Sequence, residues 1–332
     1  MFWLFLAAAC GRPSAEDVPP ADSAGPSLEV LAVGRLDTER FYEGDLAVLH
    51  GRMTPALLAE AGTLEDLRDF RGKVAELAGR EERVLNEETF SEGDLTYYRR
   101  TVRFDGTEEL MAVQWGYAAD GAIADFFVRP IAPATSVEYR TLTPLRLPFE
   151  GEWYVTSGGR TPEENQHSVD YSNRFAYDLV AASDRQRSRP PRTASDYGTW
   201  ERPILAPAAG VVVGALGDVP DNPLSVTEGT PSIGNHVVID HGNGEFSVLG
   251  HLREGSVRVA AGDTVAAGRV IGLTGNSGNS TGPHLHYNLQ DGPRPNGDRG
   301  LPAQFLDYTA DGRPVDRGEP TRGQVVSPRA SG

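Results

Sequence analysis

Close to its C-terminal end the chain runs Gly275-Asn276-Ser277-Gly278-Asn279-Ser280-Thr281-Gly282-Pro283-His284-Leu285-His286-Tyr287, and this segment constrains the fold more than any other. Histidines one residue apart among apolar neighbours fit a β-strand, in which residues i and i+2 leave the same face. Both imidazoles then look into one cavity while Leu285 packs behind them. The Gly, Asn, Ser and Thr residues before Pro283 read as the loop that delivers the strand.

Short strands bounded by Gly, Pro, Asn and Asp fill the region around that segment. They are expected at Arg174–Ala181, Pro203–Val213, Gly234–Asp240, Phe246–Leu252, Thr264–Leu273 and His284–Leu289. Strands of this length and spacing make a compact barrel or sandwich, so 147–310 is expected to be a mainly-β domain. Two long loops interrupt it. One, 182–201, carries Arg185, Arg187, Arg189 and Arg192 with Tyr197 and Trp200; the other, 217–233, is polar with several prolines. The arginines read as a solvated loop, or as a groove wall facing acidic peptide groups. Residues 311–332 have little apolar content and are expected to be a flexible tail.

The N-terminal half has a different rhythm. Leu64, Leu67, Phe70, Val74 and Leu77 recur at helical spacing behind Thr63, with Asp66 three residues on as a capping box. A further helix is expected over 28–42. From Arg83 the period shifts toward two, through Tyr98, Val102 and Phe104, then Leu110 to Trp115 and Ile123 to Val128, with Asp-Gly turns at 105–106 and 120–121. Residues 28–130 are therefore expected to be an α+β domain, and 131–146, with several Pro and Thr, a linker. Helices followed by a meander of strands resemble the cystatin/nuclear-transport-factor-like cone. No cluster of catalytic residue types occurs there, which suggests a binding or spacer module.

Charge and composition exclude some functions. The formal net charge is −16 and no basic stripe exists to neutralise phosphates, so nucleic acid is not an expected partner. The single cysteine, Cys10, rules out a disulfide framework or thiolate cluster within the chain. Cys10 ends the apolar run Phe2–Ala9, which closes on small residues and is too short to span a bilayer. The segment 1–10 resembles a bacterial lipoprotein signal, with 11–27 as a disordered tether rich in Pro, Ala, Ser and Asp. Export and a lipid anchor in the envelope are the resulting expectations. Gly11 after Cys10 gives no inner-membrane retention signal and favours the outer membrane.

The β-rich half holds every histidine except His50, which reads as a surface residue. Asp178 interrupts the apolar stretch Phe175–Val180, where a carboxylate must be paired or bound to a cation. His167 precedes it in a polar stretch, and His251 ends the strand Phe246–Leu252. A catalytic zinc takes three N/O ligands and keeps an open position for water. Two histidines and one aspartate meet that demand with a single negative charge, and spare imidazoles beside the metal could move protons.

The run Gly234-Asn235-His236-Val237-Val238-Ile239-Asp240-His241-Gly242, then Gly250-His251-Leu252, Ala261-Gly262-Asp263-Thr264-Val265, Gly268, Ile271-Gly272 and Gly275 to His286 resembles the lysostaphin-type (LytM-like) zinc metallopeptidases. Members of that family cleave peptide bonds of bacterial peptidoglycan and carry a duplicated hybrid motif, a lipoyl-like β-barrel. The resemblance covers residues 160 to 290. It implies that His167, Asp178 and His286 ligate one zinc ion and that His251 and His284 are the non-ligand histidines of the active site. His236 and His241 read as structural residues, fixing turns by hydrogen bonds or lying at the rim. The family's usual first motif keeps its histidine and aspartate closer together. Here ten residues lie between His167 and Asp178, Tyr stands at 171, and Asp170 is nearer in sequence but lies in no strand-like context.

The same hairpin pattern occurs in lipoyl and biotinyl carrier domains, which need a lysine at a hairpin tip. The only lysine is Lys73, in the helical half, and that reading fails. A histidine phosphocarrier of the sugar phosphotransferase type would use two facing histidines and have no need of Asp178 or His286. The remaining competitor is a non-catalytic relative that binds peptidoglycan and activates another hydrolase. Such relatives lose metal ligands, whereas all five positions are filled here. The expected function is therefore zinc-dependent endopeptidase action on peptidoglycan, with the N-terminal domain open to a wall component or an activator protein.

Overall fold

The computed structural model describes residues 28–92, 94–131, 134–186, 190–226, 233–295 and 297–329. Cys10 with its apolar run, the tether, Arg187 and Arg189 lie outside the described residues. No helix among the described residues is long and apolar enough to cross a membrane. The chain divides into two units, the first comprising 24–136 with Val169–Tyr171, the second 137–168 and 172–332, apart from short N-terminal pieces.

In the first unit, helices α1 (Leu28–Glu43), α2 (Leu46–Gly51), α3 (Pro55–Ala61) and α4 (Leu64–Ala78) precede strands β1 (Glu81–Glu92), β2 (Leu95–Phe104), β3 (Leu110–Tyr117) and β4 (Ile123–Ile131). The strands form one antiparallel meander in sequence order. Thr63 caps α4 as expected: its Oγ1 accepts from Asp66 N at 3.3 Å, and Asp66 Oδ2 accepts from Thr63 N at 2.7 Å. Alternate sheet residues, among them Tyr98, Val102, Val113, Trp115 and Phe126, pack with Phe41 of α1 and with Leu67 and Val74 of α4. Trp115 stacks on Phe126 with ring centres 4.0 Å apart. Two short helices, α2 and α3, escaped the sequence reading, since neither is long enough to show a period.

The second unit is mainly β and antiparallel. Strands β5 (Trp153–Ser157), β6 (Tyr177–Ala181), β7 (Pro203–Leu205) and β8 (Gly210–Leu216) come first, followed by β9 (Asn235–Asp240) and β10 (Phe246–Leu252). Next come β11 (Thr264–Val265), β12 (Val270–Leu273), β13 (Leu285–Gln290) and β14 (Gly300–Leu301). The last three are β15 (Phe305–Ala310), β16 (Arg313–Gly318) and β17 (Val325–Pro328). The main sheet runs β11-β8-β9-β10-β13-β6-β5-β17-β15-β16, with β14 on β13 and a separate β12-β7 pair. Leu285, Tyr287 and Leu289 of β13 share a core with Val237 and Ile239 of β9, Leu249 of β10 and Leu179 of β6. The intervening residues therefore line the opposite face of the same strands.

Two expected strands turn out to be broken. Pro203–Val213 splits around Pro207 into β7 and β8, and Thr264–Leu273 splits around Gly268 into β11 and β12. The breaks meet each other: Gly268 N donates to Ala206 O at 2.9 Å and Ala206 N to Arg269 O at 2.8 Å. The strand expected from Arg174 begins at Tyr177.

The flexible tail expected over 311–332 is corrected by the structure. β17 pairs with β5 through Val325↔Tyr154 and Val326↔Trp153, and with β15, so Val326 is fully buried. Arg160 anchors the same region through Glu319 at 2.6 Å. Few apolar residues are needed where backbone pairing to an existing sheet supplies the order.

The linker expected over 131–146 is corrected likewise. From Val137 onward it packs on the second unit, with Thr141, Thr143 and Leu145 buried. Glu245, fully buried, holds this strap by accepting from Tyr139 Oη at 2.6 Å, Leu142 N at 2.7 Å and Thr143 N at 2.7 Å. Burial alone would raise its pKa, but the bonds from Thr143, Tyr139 and Leu142 outweigh that and lower it. A carboxyl whose pKa falls on folding stabilises the native state above its unfolded value and loses that contribution as the pH drops. Glu245→Gln should therefore destabilise the protein by about 1–3 kcal/mol at neutral pH. The gap in melting temperature from wild type should close as the pH falls below the carboxylate range. A gap that stays constant with pH would contradict this role.

Candidate metal centre

Three adjacent strands of the main sheet bring the site together. In the register, His286 of β13 lies opposite Asp178 of β6 on one side and Gly250 of β10 on the other. Because Leu285 and Leu179 point into the core, His286 and Asp178 must share the other face. His167 reaches them from a single 3-10 turn, Gln166–Val169. Asn165 fixes that turn. Its Oδ1 accepts from His167 N and Ser157 Oγ, both at 2.9 Å, while its Nδ2 donates to Ala176 O at 3.1 Å.

His167, Asp178 and His286 each offer one ligand atom, and these lie within 4.8 Å of one another. His167 Nε2 is 2.9 Å from Asp178 Oδ2, and His286 Nδ1 is 3.0 Å from Asp178 Oδ1. Donors at 2.0–2.2 Å from one tetrahedral ion lie about 3.3 Å apart, so the spacing fits a divalent ion such as zinc with only small adjustments. Asp170 is not among the clustered residues, and Asp178 is the aspartate that faces the histidines. Burial would raise the Asp178 pKa. His167 and His284 beside it, with hydrogen bonds from His167 and His286, hold it well below the usual carboxylate range. Gln166 Nε2 adds a bond to Asp178 Oδ2 at 3.0 Å.

His251 and His284 flank this cluster with their ring centres 4.6 Å apart, and His251 lies 5.6 Å from the His286 ring. Each is tied through Nδ1 to a backbone carbonyl: His251 to Ser277 O at 2.8 Å, His284 to Gly282 O at 2.9 Å. An imidazole that donates its Nδ1 proton to a carbonyl keeps a lone pair on Nε2. The Nε2 of His284 lies 3.6 Å from Asp178 Oδ1, inside the site. Burial, then the neighbouring His284 and His286, push the His251 pKa well down, so it is neutral near pH 7. His251 also has φ +57, a left-handed conformation costing about 1 kcal/mol for such a residue. Its backbone is held there by His251 N to Ile233 O and Gly275 N to His251 O, both at 3.0 Å.

The loop that delivers β13 is clamped from two sides. Asp221 Oδ1 accepts from Asn276 N at 2.6 Å, and Asn222 Nδ2 donates to Ser280 O at 3.2 Å. Gly234 approaches so closely that a Cβ there would stand 2.5 Å from Ser277 C and O. On the other side, the 182–201 loop brings the Tyr197 hydroxyl to 3.1 Å from where a Cβ on Gly282 would be. Among its arginines, Arg185 lies over the Tyr154 ring at 4.2 Å.

His236 and His241 each bond a backbone carbonyl. His236 Nδ1 bonds Gly234 O at 2.8 Å, and His241 bonds Ala209 O at 2.9 Å and Ser247 Oγ at 2.8 Å. The sequence reading missed the amides Asn165, Gln166 and Asn173 around the cluster. The polar alternation His286, Asn288, Gln290 along a buried strand was the one visible sign of such a network.

Residues 193–298 match the family model "Peptidase family M23". That segment contains His251, His284 and His286 and stops short of His167 and Asp178. The chain is 45% identical over 69 residues to the peptidoglycan DD-endopeptidase ShyA of Vibrio cholerae, covering 21% of this chain and 16% of that protein. It is 44% identical over 62 residues to the DD-carboxypeptidase/endopeptidase Mpg of Neisseria meningitidis, covering 19% and 14%. The match thus spans less than a fifth of these curated relatives. Among solved structures, the catalytic domain of the prophage-encoded M23 protein EnpA from Enterococcus faecalis overlays at TM-score 0.30 and 24% identity, over 47% of this chain and 93% of that one. The lysostaphin catalytic domain from Staphylococcus simulans overlays at TM-score 0.27 and 18% identity, over 46% and 88%.

Proposed function

We propose that this protein, whose residues 193–298 match peptidase family M23, is a zinc-dependent endopeptidase hydrolysing peptide bonds of bacterial peptidoglycan. One observation carries the reading: His167, Asp178 and His286 converge, and two further imidazoles stand beside them with Nδ1 anchored to carbonyls.

His167 through Nε2, His286 through Nδ1 and the Asp178 carboxylate would hold the zinc. Bound there, zinc supplies Lewis acidity toward water and the scissile carbonyl. The ionised Asp178 gives the cluster its one negative charge. His251, neutral and buried, keeps Nε2 able to accept a proton from the attacking water, and His284 places its own Nε2 3.6 Å from Asp178 Oδ1. After accepting a proton, either imidazole can stabilise the carbonyl oxygen as negative charge develops and then protonate the leaving amine. Rigid anchoring of both rings through Nδ1 removes the cost of orienting them during the reaction.

The first unit, with its helices against a four-stranded meander, is proposed to be a cone of the cystatin/nuclear-transport-factor type that binds a wall component or an activator. The apolar run before Cys10 supports an exported protein with a lipid anchor in the envelope. Incubating the protein with isolated peptidoglycan sacculi tests the activity: soluble peptides should be released, and release should stop with a zinc chelator and resume on adding zinc. Binding to sacculi without release by the zinc-loaded protein would support a non-catalytic wall-binding protein instead.

A further inference from the structure

The face of β13 turned away from the core carries His286, Asn288 and Gln290, which are 5%, 1% and 0% exposed. Such a row of buried polar side chains needs partners within the protein. Gln290 Nε2 donates to two backbone carbonyls, Gly292 O and Arg294 O, each at 2.8 Å. Backbone carbonyls only accept, so the Gln290 amide has one possible orientation and turns Oε1 toward Asn288. Asn288 Nδ2 donates to that Oε1 at 3.2 Å and to Ser172 O at 2.9 Å. Turned over, Asn288 would set its own oxygen against both. Its Nδ2 also lies 3.4 Å from Asn173 Oδ1, a longer contact that one of its two N–H groups can share, and it favours the Asn173 oxygen on this side. Asn173 Oδ1 stands 3.2 Å from His286 Nε2.

Resting on the metal-centre reading above, we propose that Asn173 is the positioning residue of the His286 ligand. An imidazole that gives its Nδ1 lone pair to a metal carries its remaining proton on Nε2. Asn173 Oδ1 accepts a hydrogen bond from that N–H, and Asn288, oriented by Gln290 and Ser172 O, stands against the same oxygen. With its proton on Nδ1 instead, His286 would face Asn173 Oδ1 with a second lone pair. In the metal-free site Nδ1–H can instead bond Asp178 Oδ1; once an ion takes Nδ1, the relay accepts a hydrogen bond from the proton left on Nε2 and holds the ring with Nδ1 turned toward Asp178. Outer partners of this kind set the orientation and basicity of metal-binding histidines.

The test uses the full chain, with zinc affinity measured by chelator competition and the imidazole N–H signals read in zinc-loaded protein carrying 15N-histidine. Wild type should show a His286 Nε2–H proton slow to exchange with solvent. Asn173→Ala should bind zinc about 10- to 100-fold more weakly and lose that proton to rapid exchange, while Asn173→Asp, which keeps an acceptor, should recover most of both. Should Asn173→Ala not fold, Asn288→Ala, which frees the Asn173 amide to turn over, should show the same changes in smaller measure. Unchanged affinity and an unchanged slow proton in a folded Asn173→Ala protein would overturn the assignment. A wild-type protein with no measurable zinc affinity would overturn the metal-centre reading itself, a result separable from any effect of Asn173.

Discussion

Asp178→Ala is expected to leave the protein without stoichiometric zinc and without peptidoglycan cleavage. Asp178 is the one charged member of the cluster, and it stands between His286 Nδ1 at 3.0 Å and His167 Nε2 at 2.9 Å. Without it, the remaining ligands are neutral imidazoles with no opposing charge to offset that of the cation. The loss in zinc affinity should exceed the about 10- to 100-fold that an outer-partner substitution costs. Asp178→Asn separates charge from shape: it keeps the side-chain volume and should fail almost as completely. Both changes take a shared acceptor from Gln166 Nε2, His167 and His286, so some stability is expected to be lost as well. Metal content of the dialysed protein, with circular dichroism as the fold control, checks the expectation. Full zinc occupancy in Asp178→Ala would move the ligand set elsewhere.

His284→Ala should show the opposite split, with zinc retained and turnover lowered about 10²- to 10⁴-fold, the range for loss of a general acid or base. The ring sits beside the cluster, with Nε2 3.6 Å from Asp178 Oδ1 and Nδ1 held by Gly282 O. It is therefore close enough to exchange protons with reactants while lying outside the trio whose ligand atoms converge. His286→Ala, two residues further along the chain, should lose both metal and cleavage. Measuring zinc content and initial rates side by side in the two variants decides the matter. Zinc loss in His284→Ala as severe as in His286→Ala would end this division of roles.

Much of this site was legible in the sequence because strand geometry is periodic. The alternation around Leu285 placed His284 and His286 together, and Leu285 does sit in the core. A carboxylate inside Phe175–Val180 demanded a partner, which marked Asp178 over Asp170. Phe246–Leu252 has the expected bounds, since alternation and flanking turns agree there. The amides around the site were not legible. Asn165, Gln166 and Asn173 act through whichever group happens to face them, and no spacing along the chain encodes that. The strap at 137–146 and the strands at 313–318 and 325–328 escaped for a related reason. Their order comes from hydrogen bonds to distant partners, Glu245 and β5, and little of it from apolar pattern.

The most direct measurement is mass spectrometry of purified cross-linked peptidoglycan fragments after incubation with the protein, alone, with a zinc chelator, and with zinc restored. The account predicts peptide-bond cleavage products that vanish with the chelator and return with zinc, their masses naming the bond that is cut. Intact fragments after incubation with protein shown to carry zinc would contradict it.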